Sequence, residues 1–518
     1  MSRRARETAL VTALALLVTM AIAAPVIEAP SRRIFGAALV GHHHDPFTFM
    51  QQIAGRLARG VYLQPATDVP AAVIARATGA VAAYNWIVLL TFPLSAATAF
   101  LLARHLGIAS AWSAAAAMLF AFSPFHLAHA AYHPHIAQTQ WIPLYLLVLW
   151  RAVDAPARGS VIALVLVTAG AVMSNFYGGL ILMVITPAAL AAYWLWRAQD
   201  RPNATSRVAI TAGVLALMAA TGAAYAVYAI GGSSAPYASY GTAPEDLVRY
   251  GTRWWSYAMP PAAHPLAGAS VQQQWRDAGV DVGLLEQQVS LGWGLMALAV
   301  VAIAARLPAP SKAAVRVLVA IGGVAFVFSL ASGPAALLRE LLPMFRAYAR
   351  FGVVVQLMVA LLAAIGAEHL WSLRSRGARI ACVALIALGI AEYAVWPPSM
   401  SRAVLPTRAH QWAADQTGCV RVLDCAPAGG DAASIQWLTH YRVSGSGGAF
   451  PSCTGPGLAD RLAAAGFTHV IVRRDTAEAR GIAARSREGF PPAAYFADSN
   501  VYAVAARAAA IPSCGMQP

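Results

Sequence analysis

Histidines concentrate in two short stretches of the chain, and imidazole is suited to binding metals and to moving protons near neutral pH. The first stretch is His42, His43 and His44, which directly precede Asp45. The second stretch contains His126, His129, His133 and His135. Because the first three of this second stretch recur at helical spacing, one face of a helix can present them together. Imidazole and carboxylate groups in this combination are suitable ligands for Zn²⁺ or Mn²⁺.

Three interpretations of these histidines stay open on the residues alone. In the first they bind a divalent metal, and the candidate ligands are His42, His44, Asp45, His129 and His133. In the second they contact a phosphate or an acceptor group, or relay a proton, and the residues concerned are His44, His126, His129, His133 and His135. In the third they form a polar layer at a membrane surface, since a histidine-rich tract is only a compositional signal.

Two arginines four residues apart, Arg346 and Arg350, can lie on the same side of a helical turn. Guanidinium groups bind phosphate through paired hydrogen bonds, so this pair predicts a phosphate-binding site. The alternative is that both side chains extend from a helix end toward water. A second candidate group is Arg249, Arg253, Trp254 and Trp255. Tryptophan also marks the membrane interface, and we favour that interpretation for this group.

The elements that position these residues are apolar helices. The chain has 518 residues, of which 59% are hydrophobic and 11% charged, whereas a soluble domain carries about a quarter charged residues. Many stretches supply the roughly 20 apolar residues that a membrane span needs. We predict a polytopic, mostly α-helical membrane protein with about eleven spans, near 8–28, 80–103, 109–126, 136–151, 160–174, 176–196, 208–230, 287–305, 314–332, 350–371 and 379–396. The first apolar stretch is expected to be an uncleaved helix rather than a signal peptide.

The net charge of +15 lies mostly in short loops between the apolar stretches, as the positive-inside rule expects of cytoplasmic loops. The charge therefore orients the protein in the inner (plasma) membrane and predicts no nucleic-acid partner. The N-terminus is then cytoplasmic. The segments 30–79, 231–286 and 397–518 are then on the other side.

The last of these segments predicts a separate domain, so that 1–396 is the membrane domain and 397–518 a small extracytoplasmic α/β domain. Strand-like runs at 418–426, 468–474 and 500–507 flank a helix-like run that ends at Gly466. Four cysteines lie in this domain, Cys419, Cys425, Cys453 and Cys514. Their even number in an oxidising compartment predicts disulfides, whose pairing the spacing does not choose, although reduced, inert thiols are the alternative.

Several strings resemble the membrane glycosyltransferases of the GT-C type, in particular poorly characterised bacterial members. The first is HDPFTFMQQI at 44–53, which looks like the acidic motif of the first outer loop in that family. The others are VAAYNWIVLLTFPLSAATAFLLARHLG at 81–107, FAFSPFHLAHAAYHPHIAQTQWIPLYLLVLWR at 120–151, MSNFYGG at 173–179 and PMFRAYARFG at 343–352. The resemblance covers most of the membrane domain and, more weakly, the C-terminal domain.

The resemblance implies transfer of a hexosyl or pentosyl group from a polyprenyl-phosphate donor to an extracytoplasmic glycan, lipid or protein, with inversion. It assigns Asp45 as the catalytic base, a role for which a carboxylate must reach the attacking hydroxyl. The chain departs from the family pattern in having one acidic residue after histidines, with Asp68 as the other acid of that loop. The residues alone also fit Asp45 as the cap of a helix that begins at Pro46.

Two other classes of function are compatible with a polytopic helical chain. A lipid or solute transporter, or a flippase, would carry inverted repeats and interrupted helices, and no convincing repeat is present. A non-catalytic protein of envelope assembly would use the C-terminal domain to bind partners. Direct assays for sugar transfer and for flipping separate the three classes.

Overall fold

The structure of the chain is a computed structural model. It describes residues 2–36, 45–57, 64–197, 204–231, 243, 245–280, 284–395, 400–405, 407–417, 420–425, 435, 438–439, 443–445, 453–454, 457–474, 481–482 and 490–505. The chain divides into two compact units, Met1–Arg402 and Ala403–Pro518. Each unit is described by itself.

The first unit consists almost entirely of helices. They are α1 (Arg3–Ile22), α2 (Ala24–Glu28), α3 (Asp45–Leu57), α4 (Pro65–Thr78), α5 (Ala80–His105), α6 (Ser110–Ala121), α7 (Pro124–Ala130), α8 (Trp141–Asp154), α9 (Arg158–Ser174), α10 (Phe176–Trp196), α11 (Ala204–Gly231), α12 (Glu245–Tyr250), α13 (Gly268–Asp277), α14 (Trp293–Ala304), α15 (Ala309–Ser329), α16 (Pro334–Leu341), α17 (Gly352–Ser372) and α18 (Arg376–Glu392). A short strand β1 (Arg33–Phe35) pairs with β2 (Ser401–Ala403).

Membrane-spanning character follows from the length and apolarity of these helices. Within the described residues, six helices are long and apolar enough to cross a bilayer, namely α1, α5, α10, α11, α15 and α17. The bent pair α6–α7 makes seven if it counts as one span, and α9 and α14 are shorter apolar helices. The chain is therefore a helical membrane protein. The count of eleven spans and the side on which each terminus lies stay predictions.

Basic residues collect at one end of the helices, which we call the basic end. There the Arg197 guanidinium donates to the backbone oxygen of His105 at 3.1 Å. The hydroxyl of Tyr193 donates to Asp154 at 2.7 Å. These contacts join the final turns of α5, α8 and α10, and successive helices run in alternate directions away from them. The end opposite the basic end carries the histidine turn and the start of α17.

Helix α17 is the central helix of the unit. It packs against α14, α15 and α6, and most of its residues from Gly352 to Ala367 are buried. A helix that is apolar all round belongs in such a position. Gly366 lies so close to α14 that an added Cβ would overlap the backbone oxygen of Leu298. Small residues permit such close helix approach inside a membrane.

We expect Gly366→Ala to lower the stability of the helical unit, because the new methyl group must push α14 and α17 apart. Forcing a methyl group into a closely packed contact costs about 1–3 kcal/mol. Gly323→Ala on α15 is the matched control, since nothing lies within 4 Å of its added Cβ and alanine favours a helix by roughly 0.5–1 kcal/mol. Thermal unfolding in detergent measures both variants. Equal melting temperatures for the two would contradict the packing argument.

The second unit contains a five-stranded sheet with the order β4-β3-β5-β7-β6. The strands are β3 (Val422–Asp424), β4 (Val443–Gly445), β5 (His469–Arg473), β6 (Pro492–Tyr495) and β7 (Ser499–Ala503), and the helices are α19 (Arg408–Asp415) and α20 (Leu458–Ala464). β3 is parallel to β4 and β5, whereas β7 is antiparallel to β5 and β6. Each predicted strand overlaps one of these, and β-branched side chains on β3 and β5 fill the core. An extracytoplasmic position for this unit stays a prediction.

One disulfide joins Cys425 to Cys453 in the second unit. The pairing resolves part of the choice that the cysteine spacing left open. Cys419 and Cys514 lie outside the described residues. Cys382, in α18, is a buried free thiol.

Candidate functional site

The histidine turn begins where α6 ends. α7 starts with Pro124 at its first position, and the hydroxyl of Ser123 accepts a hydrogen bond from the backbone nitrogen of His126 at 3.4 Å. This cap starts a new helix at an angle of 41° to α6, because proline fixes its own φ and has no N–H to continue the α6 ladder. α7 ends after seven residues, and its last turn carries His129 into the interior.

His129 is fully buried and lies between a second histidine and a carboxylate. Its Nδ1 is 3.1 Å from Nδ1 of His133. Its Nε2 is 3.8 Å from Oε2 of Glu286 and has no hydrogen-bond partner. Glu286 is 4% exposed and belongs to the 3₁₀ turn Leu284–Gln287, which ends five residues before α14.

Arg350 neutralises this buried carboxylate. Its Nε donates to both oxygens of Glu286 at 3.1 and 3.2 Å, and its Nη2 donates to Oε1 at 2.6 Å. The guanidinium also lies over the ring of Tyr177, 4.2 Å from its centre. A buried carboxylate without a partner would be strongly destabilising. We refer to His129, His133, Glu286, Arg350 and Tyr177 as the Glu286 cluster.

The second arginine of the predicted pair has a different carboxylate. Arg346 lies 3.9 Å from Asp246, and its guanidinium is 4.8 Å from the centre of the Tyr250 ring. Its side chain is 51% exposed, against 13% for Arg350. The two guanidinium groups therefore do not form a single fork, because each turns toward its own acid. A role in phosphate binding stays a prediction for both.

A second carboxylate–imidazole pair is present at the same end of the helices. Nε2 of His135 lies 2.7 Å from Oδ1 of Asp68, which is 4% exposed. Oδ2 of Asp68 accepts from the backbone nitrogen of Gln64 at 3.0 Å and so caps the start of α4. The ring of Phe49, one turn into α3, contacts the His135 ring at 5.1 Å. Asp45 is the first residue of α3, so α3 begins one turn from this contact.

Several predicted site residues lie outside the described part of the chain. They are His42 and His44, together with the side chain of Asp45. Their predicted roles as base, metal ligand or substrate contact therefore stay predictions. Asp45 does begin a helix whose second residue is Pro46, as its interpretation as a helix start requires.

His126 has the contacts of a structural side chain. Its Nε2 is 2.8 Å from the hydroxyl of Thr91, and its Nδ1 is 2.7 Å from the backbone oxygen of Ala121. The ring stacks on Phe92 with 4.3 Å between ring centres. His126 thus turns toward α5, whereas His129 turns toward Glu286. The expectation that one face presents His126, His129 and His133 together is not what these contacts show, and a substrate role for His126 has no support from them.

Sequence reasoning missed Glu286, Tyr177 and the pairing of Asp68 with His135. Glu286 carried one usable signal, since it is a lone acid between leucines and glutamines just before a predicted span. Tyr177 lies in the quoted string MSNFYGG, but nothing local distinguished it. Asn175 caps α10 by accepting a hydrogen bond from the backbone nitrogen of Tyr177 at 3.0 Å. That cap positions the Tyr177 ring beneath Arg350.

The Glu286 cluster contains the one group of three potential metal ligands found among the described residues. One nitrogen from each of His129 and His133 and one oxygen of Glu286 lie within 4.8 Å of one another. Beside it, a narrow cleft is lined by Thr139, Ser174, Asn175, Tyr177 and Arg350. Cations, acids and imidazoles thus gather next to a cleft at one end of the bundle. Such an arrangement can hold an anion and transfer protons.

The fold and this site define a multi-helix membrane protein with a polar centre at one end, and comparisons with known proteins agree with that class. The model of a family described as "6-pyruvoyl-tetrahydropterin synthase related domain; membrane protein" matches residues 70–261, which is less than half of the chain. No curated protein matches the sequence.

The structure is similar to that of the arabinofuranosyltransferase AftD from Mycobacteria, with a TM-score of 0.52 and 17% sequence identity. The match covers 98% of this chain and 40% of the AftD chain, so this chain spans well under half of that protein. At this identity the likeness shows the fold alone. ArnT from Cupriavidus metallidurans, solved with undecaprenyl phosphate, is 15% identical over 96% of this chain and 97% of its own. Its TM-score of 0.34 is too low to support an argument.

Proposed function

We propose that the chain is a membrane glycosyltransferase, which moves a sugar from a polyprenyl-phosphate donor to an acceptor on the extracytoplasmic side. Two observations taken together support this proposal. The fold is similar to that of an arabinofuranosyltransferase, and the Glu286 cluster, the Asp68–His135 pair and the start of α3 gather at one end of the bundle. In this proposal the basic end lies on the cytoplasmic side of the plasma membrane.

Each group has a stated task. Asp45 takes the proton of the acceptor hydroxyl while that oxygen attacks the anomeric carbon, and the polyprenyl phosphate leaves from the opposite face with inversion. The phosphate carries negative charge as it departs, so cations must be in place beforehand. Arg346 is half exposed and only 3.9 Å from Asp246, so its guanidinium can exchange that weak contact for the phosphate.

Arg350 has a positioning task. Three hydrogen bonds to Glu286 and the Tyr177 ring hold its guanidinium in one orientation, and the residue lines the cleft. His133 and His135 are partly exposed at the same end and provide neutral or charged donors for the sugar or phosphate. The acceptor, in this proposal a glycan, lipid or protein, approaches from the aqueous side.

The proposal is tested with purified full-length protein in detergent or proteoliposomes and a panel of radiolabelled polyprenyl-phosphate sugars. The panel contains hexosyl and pentosyl donors, and the acceptors are envelope glycans, lipids and proteins. We expect one donor to lose its sugar to an acceptor with an inverted linkage. Movement of a labelled lipid or solute across the membrane without any transfer would favour a flippase or transporter. If neither transfer nor movement occurs and residues 403–518 capture a partner, the result favours an assembly protein.

A further inference from the structure

One ring nitrogen of the buried His129 side chain has no hydrogen-bond partner in the described structure. Its ring is fully buried, yet Nε2 has no hydrogen-bond partner and faces a carboxylate oxygen 3.8 Å away. Buried polar atoms in proteins are almost always paired, so an orphan of this kind calls for an explanation. An unobserved ion is one of the recognised explanations.

The imidazole rings of His129 and His133 contact each other directly. The Nδ1 atoms of His129 and His133 are 3.1 Å apart, and at most one of these atoms can carry the shared proton. Two ligand atoms around tetrahedral Zn²⁺, with bonds of about 2.0–2.1 Å, lie about 3.3 Å from each other. Nε2 of His129 and Oε2 of Glu286, 3.8 Å apart, are close to that separation, and the hydrogen bond between the two Nδ1 atoms places His133 beside them.

We propose that His129, His133 and Glu286 bind a divalent transition metal, with Zn²⁺ preferred. The ligand atoms lie within 4.8 Å of one another, so side-chain shifts on the order of 1 Å bring them to bonding distance. Two histidines and one glutamate make three protein ligands, which leaves one position open for water or a substrate oxygen. This site exists independently of whether Asp45 is a catalytic base.

The surroundings of these three ligands supply what a metal site requires. Arg350 holds the Glu286 carboxylate through its remaining lone pairs and fixes its orientation, as outer groups do for ligating carboxylates. α7, capped by Ser123, carries His129, and the buried 3₁₀ turn Leu284–Gln287 carries Glu286. The metal and Arg350 together would give the adjacent cleft a net positive charge, which suits a phosphate group.

The experiment uses tag-free full-length protein that has been stripped with a chelator and is titrated with Co²⁺ as the probe. We expect the visible absorption of four-coordinate Co²⁺ to appear at about one equivalent and to be displaced by Zn²⁺. Loss of a group that merely supports a ligand weakens binding by about 10–100-fold. Removing a ligand, in His133→Gln or Glu286→Gln, should therefore weaken binding by at least about a hundredfold.

Two further variants keep the proposal falsifiable. His135→Gln changes a histidine two residues from His133 that pairs instead with Asp68, and it should retain the bound Co²⁺. A variant with glutamine at positions 42, 43 and 44 tests the other histidine tract of the sequence separately and should also retain the bound Co²⁺. Melting curves establish that each variant is folded. No binding by the wild type, or binding that only the change at 42–44 removes, would overturn the proposal.

Discussion

Asp45→Asn is expected to reduce sugar transfer by about 10²–10⁴-fold, the range over which a positioned general base accelerates a reaction. Asparagine has nearly the shape of aspartate but cannot take a proton from the acceptor hydroxyl. It also caps helices well, so the start of α3 should survive. Donor binding should then change little, and the loss should appear in the turnover rate.

Asp154→Asn provides the matched control for this variant. It makes the same chemical change at the basic end, where Asp154 accepts a hydrogen bond from Tyr193. The transfer rate of this variant, expressed per amount of folded protein as determined from melting curves, should stay close to the wild-type rate. Full transfer by Asp45→Asn would remove Asp45 as the base. Asp68, already bonded to His135, would then become the residue to test.

Arg350→Met is expected to destabilise the helical unit by about 3–5 kcal/mol, because it leaves the buried Glu286 carboxylate without its cation. Methionine keeps much of the volume of the arginine stem, so the effect reports charge rather than a cavity. The double variant Arg350→Met/Glu286→Leu should recover most of the loss, since a buried ion pair can often be replaced by apolar side chains without penalty. Thermal unfolding in detergent with a chelator present ranks the variants.

Arg346→Met is the control that the chain itself offers. Its partner, Asp246, is 3.9 Å away, and the guanidinium is half exposed. Exposed ion pairs contribute about 0–1 kcal/mol, so this variant should melt close to the wild type. If Arg346→Met and Arg350→Met melt alike, or if the double variant is no more stable than the single one, the Glu286 ion pair has no special importance for stability.

The helices were predictable because the membrane imposes a local rule. A span needs a continuous apolar run, and such runs are visible residue by residue. The prediction 176–196 coincides with α10, Phe176–Trp196, since Asn175 provides a side-chain cap at one end and polar residues follow the other. The division of one predicted span, 109–126, into α6 and α7 was missed. Pro124 and the capping Ser123 lie inside that run, and the apolar count outweighed the helix-start signal.

The candidate site was only partly predictable because its pairings join distant parts of the chain. Arg346 and Arg350 are equivalent in a local pattern, yet only Arg350 meets Glu286, which is 64 residues away. His135 and Asp68 are 67 residues apart. No periodicity encodes which acid meets which base. The histidine pattern was also misleading at His126, which shares α7 with His129 but contacts Thr91 and Phe92 of α5 instead of the other histidines.

The Glu286–Arg350 pair and the Gly366 contact join the segment 286–304 to the segment 350–372 at two levels. Glu286 lies seven residues before α14 and Arg350 two residues before α17, while Gly366 meets Leu298 of α14 further along. Gly366 lies sixteen positions after Arg350 in the sequence, a distance of roughly 24 Å at 1.5 Å per residue. Held together at both levels, the segment 286–304 and α17 act as one stiff strut that resists sliding and tilting. Alternating-access carriers rock one helix group against another, and any such hinge in this molecule would have to pass outside the strut.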